Sequence, residues 1–279
     1  MIPEWVVFAA LGGLASNIFN FFNRYFLKDE GDALSWAWFF ESIRLIFFIV
    51  ASIFDSHLIL NFTSLWILFW VGITELLSVY FYMKMHAYSH LSISTILSRT
   101  RMIWIPILAF IFLKEHLSII QYIGIVTIFI GLSFVVAPHK LFMDKGAVYA
   151  NLAAFFTAIN TLFLKAAIPF ASTSLIMVTM SLFACIFFPF FMKGATRRIK
   201  REFTKHFFVK IFAILLNIIS SYLLLFALQK GTASQANAIY QGVMIVSVLG
   251  GIIILKERRD AIKKLIGTAV TILGITMLT

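Results

Sequence analysis

Glu75, Arg99 and Arg101 are ionisable residues set deep inside long apolar stretches, where charge needs a reason to be present. A carboxylate near a bilayer centre is costly to keep ionised and readily trades its charge for a proton. Glu75 is therefore a candidate for proton coupling. A guanidinium offers forked donors that match a carboxylate or phosphate. Arg99 and Arg101 point about 200° apart on an ideal helix, so the two cannot face one centre equally. Arg99 is favoured, because it shares a helix face with Ser92 and Thr95. A second polar stripe, Ser234, Asn237 and Gln241, follows later in the chain. A polar stripe turned toward lipid is costly, so the two stripes are expected to face each other across a wet cavity. Hydrogen-bonded glue between packed helices is the plainer alternative. Asn17, Asn20 and Asn160 could add cavity donors. Tyr80 and Tyr222 either line the same space or stack in the core. Glu41 and Arg44 are spaced to pair along one helix, and pairing of Glu75 with Arg99 or Arg101 would compete with its proton role.

The two stripes belong to a duplicated stretch. Glu75–Glu115 overlays Asn217–Glu257 at one constant offset, pairing Ser78 with Ser220, Tyr80 with Tyr222 and Ser92 with Ser234. The same offset pairs the triplet Leu113-Lys114-Glu115 with Leu255-Lys256-Glu257. An internal repeat of this kind governs the whole fold reading. Asn23-Arg-Tyr-Phe-Leu-Lys28 similarly lies over Asn160-Thr-Leu-Phe-Leu-Lys165, and Gly124 and Gly131 match Gly267 and Gly274. Those glycines predict a small-residue stripe for close helix contact.

With 61% hydrophobic, 16% aromatic and 13% charged residues, the chain lacks the polar surface of a water-soluble globule. Its apolar runs approach the roughly 20 residues needed to span a bilayer. They fall at about 4–26, 34–54, 63–84, 91–112, 118–136, 146–167, 172–192, 207–229, 232–255 and from 261 onward. The expected fold is all-α: ten transmembrane helices as two five-helix repeats, 1–140 and 141–279, around a central cavity. An odd helix number per repeat inverts the second copy, the arrangement that supports alternating access. Lys28, Lys84, Lys140, Lys145, the run from Lys193 and Arg258–Lys264 flank alternate loops, which places that side in the cytoplasm. The net charge of +11 thus reads as membrane topology rather than nucleic-acid binding. The first apolar run, with no basic leader before it, is expected to persist as a helix. Lone Cys185 and the scattered histidines have no metal-ligand spacing, so neither metal nor cofactor is expected. The abundant phenylalanines are expected to face lipid or fill the packing.

An apolar helix ending in Leu-Lys-Glu, a short loop and a Gly-x6-Gly helix close each half, and an Asn-containing helix ending in Phe-Leu-Lys opens it. This pattern resembles the EamA-type ten-helix transporters of the drug/metabolite transporter superfamily. The resemblance implies a cavity lined by the first, third, fourth, sixth, eighth and ninth segments. It also implies export or exchange of small metabolites. The proline that the family often carries upstream of the triplet glutamate is Met102 in one copy and Met244 in the other, with Pro106 further along. The expected function is secondary transport of a small polar metabolite, an amino acid or related anion, in a prokaryotic cytoplasmic membrane. Its partners would be lipid, the solute, and a proton or counter-substrate. Exchange of phosphorylated or nucleotide-linked solutes, a non-transporting scaffold and an intramembrane enzyme are the alternatives. No catalytic constellation supports the last.

Overall fold

The computed structural model describes residues 2–27, 31–88, 99–136, 145–204, 206–243 and 261–278. Three helices open the chain: α1 (Glu4–Leu27), α2 (Ala33–Ser52) and α3 (Phe62–Tyr88). The fourth segment is described as α4 (Arg101–Leu108), which loosens into a π turn over Ala109–Leu113. Pro106 lies inside α4, where it removes the backbone donor that would meet the Met102 carbonyl. Next come α5 (Ile119–Val136), α6 (Lys145–Ala167) and α7 (Thr173–Phe187), which tightens to a 3-10 turn at Phe188–Phe191. The short α8 (Ala195–Glu202), then α9 (Phe207–Lys230), α10 (Ala233–Gly242) and α11 (Ala261–Thr276) complete the order. No strand occurs among the described residues; one bridge joins Leu58 to Ala171.

Six of these helical stretches are long and apolar enough to cross a membrane: Glu4–Leu27, Ala33–Ser52, Phe62–Met85, Lys145–Ala167, Thr173–Phe191 and Phe207–Lys230. Shorter apolar helices cover Arg101–Leu113, Ile119–Phe134 and Leu265–Thr276. Phe54, Phe62, Phe190 and Phe208 stand exposed on their flanks, as expected of lipid-facing mass, whereas Phe39, Phe40 and Phe48 are buried.

Packing joins the two repeats. The most extensive contacts are α3 on α6, α5 on α11 and α1 on α9, followed by α2 on α7. Exchanging the first segment with the sixth and the third with the eighth turns the α1–α9 contact into the α6–α3 contact, so the structure carries the duplication that the sequence carries. The expected glycine stripe closes α5 on α11. A Cβ at Gly131 would lie 2.8 Å from the Gly267 carbonyl oxygen, and one at Gly124 would lie 2.9 Å from that of Gly274. Contacts that tight leave room only for a hydrogen.

The basic run at 193–206, read as a loop from sequence, instead contains α8. Gly194, at φ +67°, turns the chain into it. Buried Glu202 then anchors it, accepting from Ser35 Oγ and Lys210 Nζ at 2.6 Å each. Arg198 adds a pair with Asp32, the residue that caps the N-terminus of α2.

Candidate functional site

Among the described residues, the candidate site residues fall largely around two polar centres in the apolar interior. In the first, Glu41 and Arg44 stand one turn apart at mid-length of α2, and Arg44 Nη1 donates to Glu41 Oε1 at 2.8 Å. The same nitrogen donates to Glu75 Oε1 of α3 at 3.3 Å. Arg44 Nη2 reaches Ser221 Oγ of α9 at 3.4 Å, and Ser221 donates to Asn217 Oδ1. Asn217 is the repeat counterpart of Glu75, so both copies of that position meet one arginine network. The rings of Phe40 and Phe48 flank the guanidinium, 4.9 and 5.3 Å from its carbon. All three charged residues are buried. The local Glu41–Arg44 pair is as the spacing predicts. The partner of Glu75, however, is Arg44 rather than Arg99 or Arg101, because α2 lies beside it and brings Arg44 to its level.

The second centre gathers around Arg101 where α1, α3, α4 and α10 approach one another. Arg101 is half-buried and stands among the phenol groups of Tyr82 and Tyr240. Tyr82 donates to Asn20 Oδ1. Tyr240 is fixed from behind, its hydroxyl 2.6 Å from Ser220 Oγ of α9, which itself donates to the Gly12 carbonyl. Gly13 permits this approach, since a Cβ there would collide with the Tyr240 carbonyl. Gly13, Asn17 and Asn20 lie on one face of α1, which therefore looks toward α10. Among the described residues, no carboxylate pairs with Arg101. Among the described residues, six buried nitrogen donors have no hydrogen-bond partner: Arg44 Nε at the first centre and, on the helices that meet at the second, Asn17 Nδ2, Asn23 Nδ2, Arg101 Nε, Asn237 Nδ2 and Gln241 Nε2. Asn23 cannot turn over to remove its surplus, because its oxygen accepts from Trp36 Nε1 at 2.8 Å. A centre rich in donors and short of acceptors suits a ligand that supplies oxygens.

Asn17, Asn20, Asn237 and Gln241 thus lie on the helices that meet at this centre. Arg99 is buried close to Arg101 but donates to the Leu132 carbonyl of α5 at 3.0 Å. Asn160 donates to the Val71 carbonyl and to Thr74 Oγ1, fastening α6 to α3. Ser234 donates to Glu115, whose carboxylate also accepts from the backbone N–H groups of Ala233 and Ser234. The triplet glutamate therefore caps α10 from the other repeat. Tyr80 packs on Phe81 and Phe191, whereas Tyr222 pairs with Ser174 Oγ and packs on Phe48. Ser92 and Thr95 lie outside the described residues. Sequence reasoning missed Tyr82, Tyr240 and Asn23. Tyr82 is separated from Tyr80 by one residue, and the repeat drew attention to Tyr80 instead.

The family model described as "EamA-like transporter family" matches the chain twice, over residues 3–137 and 144–279. A protein of known crystal structure superposes with a TM-score of 0.74 at 10% sequence identity, covering 99% of this chain and 98% of the other. At that identity the likeness speaks for the fold alone. No curated protein sequence matches.

Proposed function

The chain belongs to the EamA-like transporter family, and from that premise we propose that it is a secondary active transporter, an exporter or exchanger, of a small polar metabolite with an anionic group. An amino acid or a related anion fits this description. It would work by alternating access, with two inverted five-helix repeats, 1–140 and 141–279, rocking about a central cavity. Ten spans in a prokaryotic cytoplasmic membrane, with basic loops in the cytoplasm, complete the reading. In it the chain is not an enzyme and needs no cofactor.

The observation that carries the proposal is Arg101. Its described neighbours are phenols and no described carboxylate offsets its charge, at a centre where other donors also lack acceptors. A solute carboxylate would supply both the charge and the acceptors. In this reading Asn17, Asn20, Asn237 and Gln241 orient the solute, and Ser92, Thr95 and Arg99 join them on the strength of their sequence stripe. A phosphorylated solute is the second reading, favoured by the closeness of Arg99 to Arg101.

A thermal-shift screen of purified protein against carboxylates, zwitterions, phosphates and amines tests both readings. A ligand held at a hundred times its Kd stabilises the folded state by about 2.7 kcal/mol. The expected result is a rise in Tm with carboxylates or zwitterions that disappears in Arg101→Gln. A rise with phosphates alone selects the second reading. A rise with amines alone, or one unchanged in Arg101→Gln, rejects both.

A further inference from the structure

We propose that Glu41 and Glu75 form a proton-binding pair, holding one proton between them around Arg44. The ground is a charge count. One guanidinium bridges two carboxylates through a single nitrogen, at 2.8 and 3.3 Å, which leaves one negative charge over in the middle of two apolar helices. A buried charge without a partner is far costlier than a neutral acid. Two carboxylates competing for one site share a proton for the same reason.

Two buried polar atoms stand beside this excess charge. Glu41 Oε2 is buried without a hydrogen-bond partner, and so is Ser181 Oγ of α7. Both residues are 0% exposed, and the Ser181 hydroxyl lies beside Glu41. A proton taken from water onto Glu41 Oε2 converts the carboxylate to a carboxyl group, whose new O–H can donate to Ser181. One guanidinium and one carboxylate then remain, and the centre is neutral. Release returns the proton to water and restores the excess charge.

The groups facing the pair leave it little other choice. Arg44 comes from α2 itself. From α7 come Ser181 and the Cys185 thiol, 3.5 Å from Ser42 Oγ, and from α9 come Ser221 and Asn217. None of these described neighbours adds a second cation.

Two helices connect this pair with the Arg101 centre. Glu75 and Tyr82 lie on one face of α3, about 10 Å apart along the axis by helical rise. Adjacent serines of α9 divide between the centres, Ser221 meeting Arg44 and Ser220 meeting Tyr240. Gain or loss of the proton therefore acts on the same two helices that hold the Arg101 centre. The role of the pair in coupling rests on the transport reading above, whereas the proton site itself does not.

Infrared difference spectroscopy of the purified protein, titrated across the neutral range in H2O and D2O, tests the site without any flux measurement. The expected result is one deuterium-sensitive carboxyl C=O band at neutral pH in the wild type. That band should be lost in Glu41→Gln and, separately, in Glu75→Gln, because either change leaves one acid for one arginine. Absence of a titrating band in the wild type overturns the proposal, even if neither variant folds. So does survival of the band in either variant, or a titration midpoint that moves when sodium replaces potassium, which would mark an alkali-cation site.

Discussion

Three arginines of this chain meet three different numbers of carboxylates. Arg44 bridges two acids, Arg198 pairs with one, and Arg101 stands among phenols with none among the described residues. The guanidinium is the same each time, so the difference lies in what each site lacks. Around Arg44 a positive charge is missing, which the proposed proton would supply. Around Arg101 a negative charge is missing, which a solute would supply. A transporter that couples a proton to an anion needs these complementary deficits, placed close enough to share helices and far enough apart to be filled separately. The paired arginine at the surface lacks nothing and serves as the internal control.

Removing the charge from Arg44 should have the largest effect. Taking one partner from a buried ion pair costs about 3–5 kcal/mol, and Arg44 serves two partners. Arg44→Gln should therefore destabilise the protein by about that amount in denaturant unfolding in detergent. Arg101→Gln should change stability by less than about 1 kcal/mol or raise it, since it removes a charge that no acid compensates. Equal losses in the two variants would mean that Arg101 has a structural partner, and the contrast between the centres would collapse.

What the sequence disclosed of this arrangement follows the range of each interaction. The glycine match between 124–131 and 267–274 was legible because close packing needs only small residues at the right spacing. The pairing of Glu41 with Arg44 was legible because both lie on one helix. Pairing of Glu75 with Arg44 was not, since it depends on which helix lies beside α3 and how each is rotated. The same applies to α4. Helical geometry sets Arg99 and Arg101 apart, but packing decides that Arg99 turns to the Leu132 carbonyl while Arg101 meets Tyr82 and Tyr240. The match of Ser92 with Ser234 marked a real feature, yet at Ser234 the polar atom serves a helix cap with Glu115. A polar stripe thus contains both scaffold and site residues, and type and spacing alone do not separate them.

Neutralising one acid of the pair should cost far less than removing its arginine. Glu75→Gln leaves Glu41 and Arg44 as a balanced pair, with the shorter of the two contacts intact. The expected loss is about 1 kcal/mol, the worth of an ordinary hydrogen bond. Changing Glu41 and Glu75 together to Gln strands the guanidinium and should destabilise the protein as strongly as Arg44→Gln. That non-additivity, measured as a double-mutant cycle, is the signature of two acids competing for one cation. Simple addition of the two single effects would show instead that each acid has its own separate support.

The smallest effect should come from the control arginine, and its pH dependence has a definite sign. Burial pushes the Asp32 carboxyl up, but hydrogen bonds from Arg198 and the Ser35 N–H, together with the charge of Arg198, outweigh it and hold the carboxyl below its usual range. A carboxyl depressed in the folded state contributes stability that is complete above its unfolded value, about 3.9. That contribution is lost as pH falls through the folded value. Because Arg198 is a third exposed, solvent and salt screen the pair, and its worth should stay within about 1 kcal/mol. Asp32→Asn should therefore lower neutral-pH stability slightly, and the variant should converge on the wild type as acid protonates Asp32. Added salt should shrink the gap, while the Arg44→Gln effect, screened from solvent by Phe40 and Phe48, should hardly respond. If salt weakens both effects alike, the acid–arginine centre is open to water, and a water-filled centre would not need a shared proton to balance its charge.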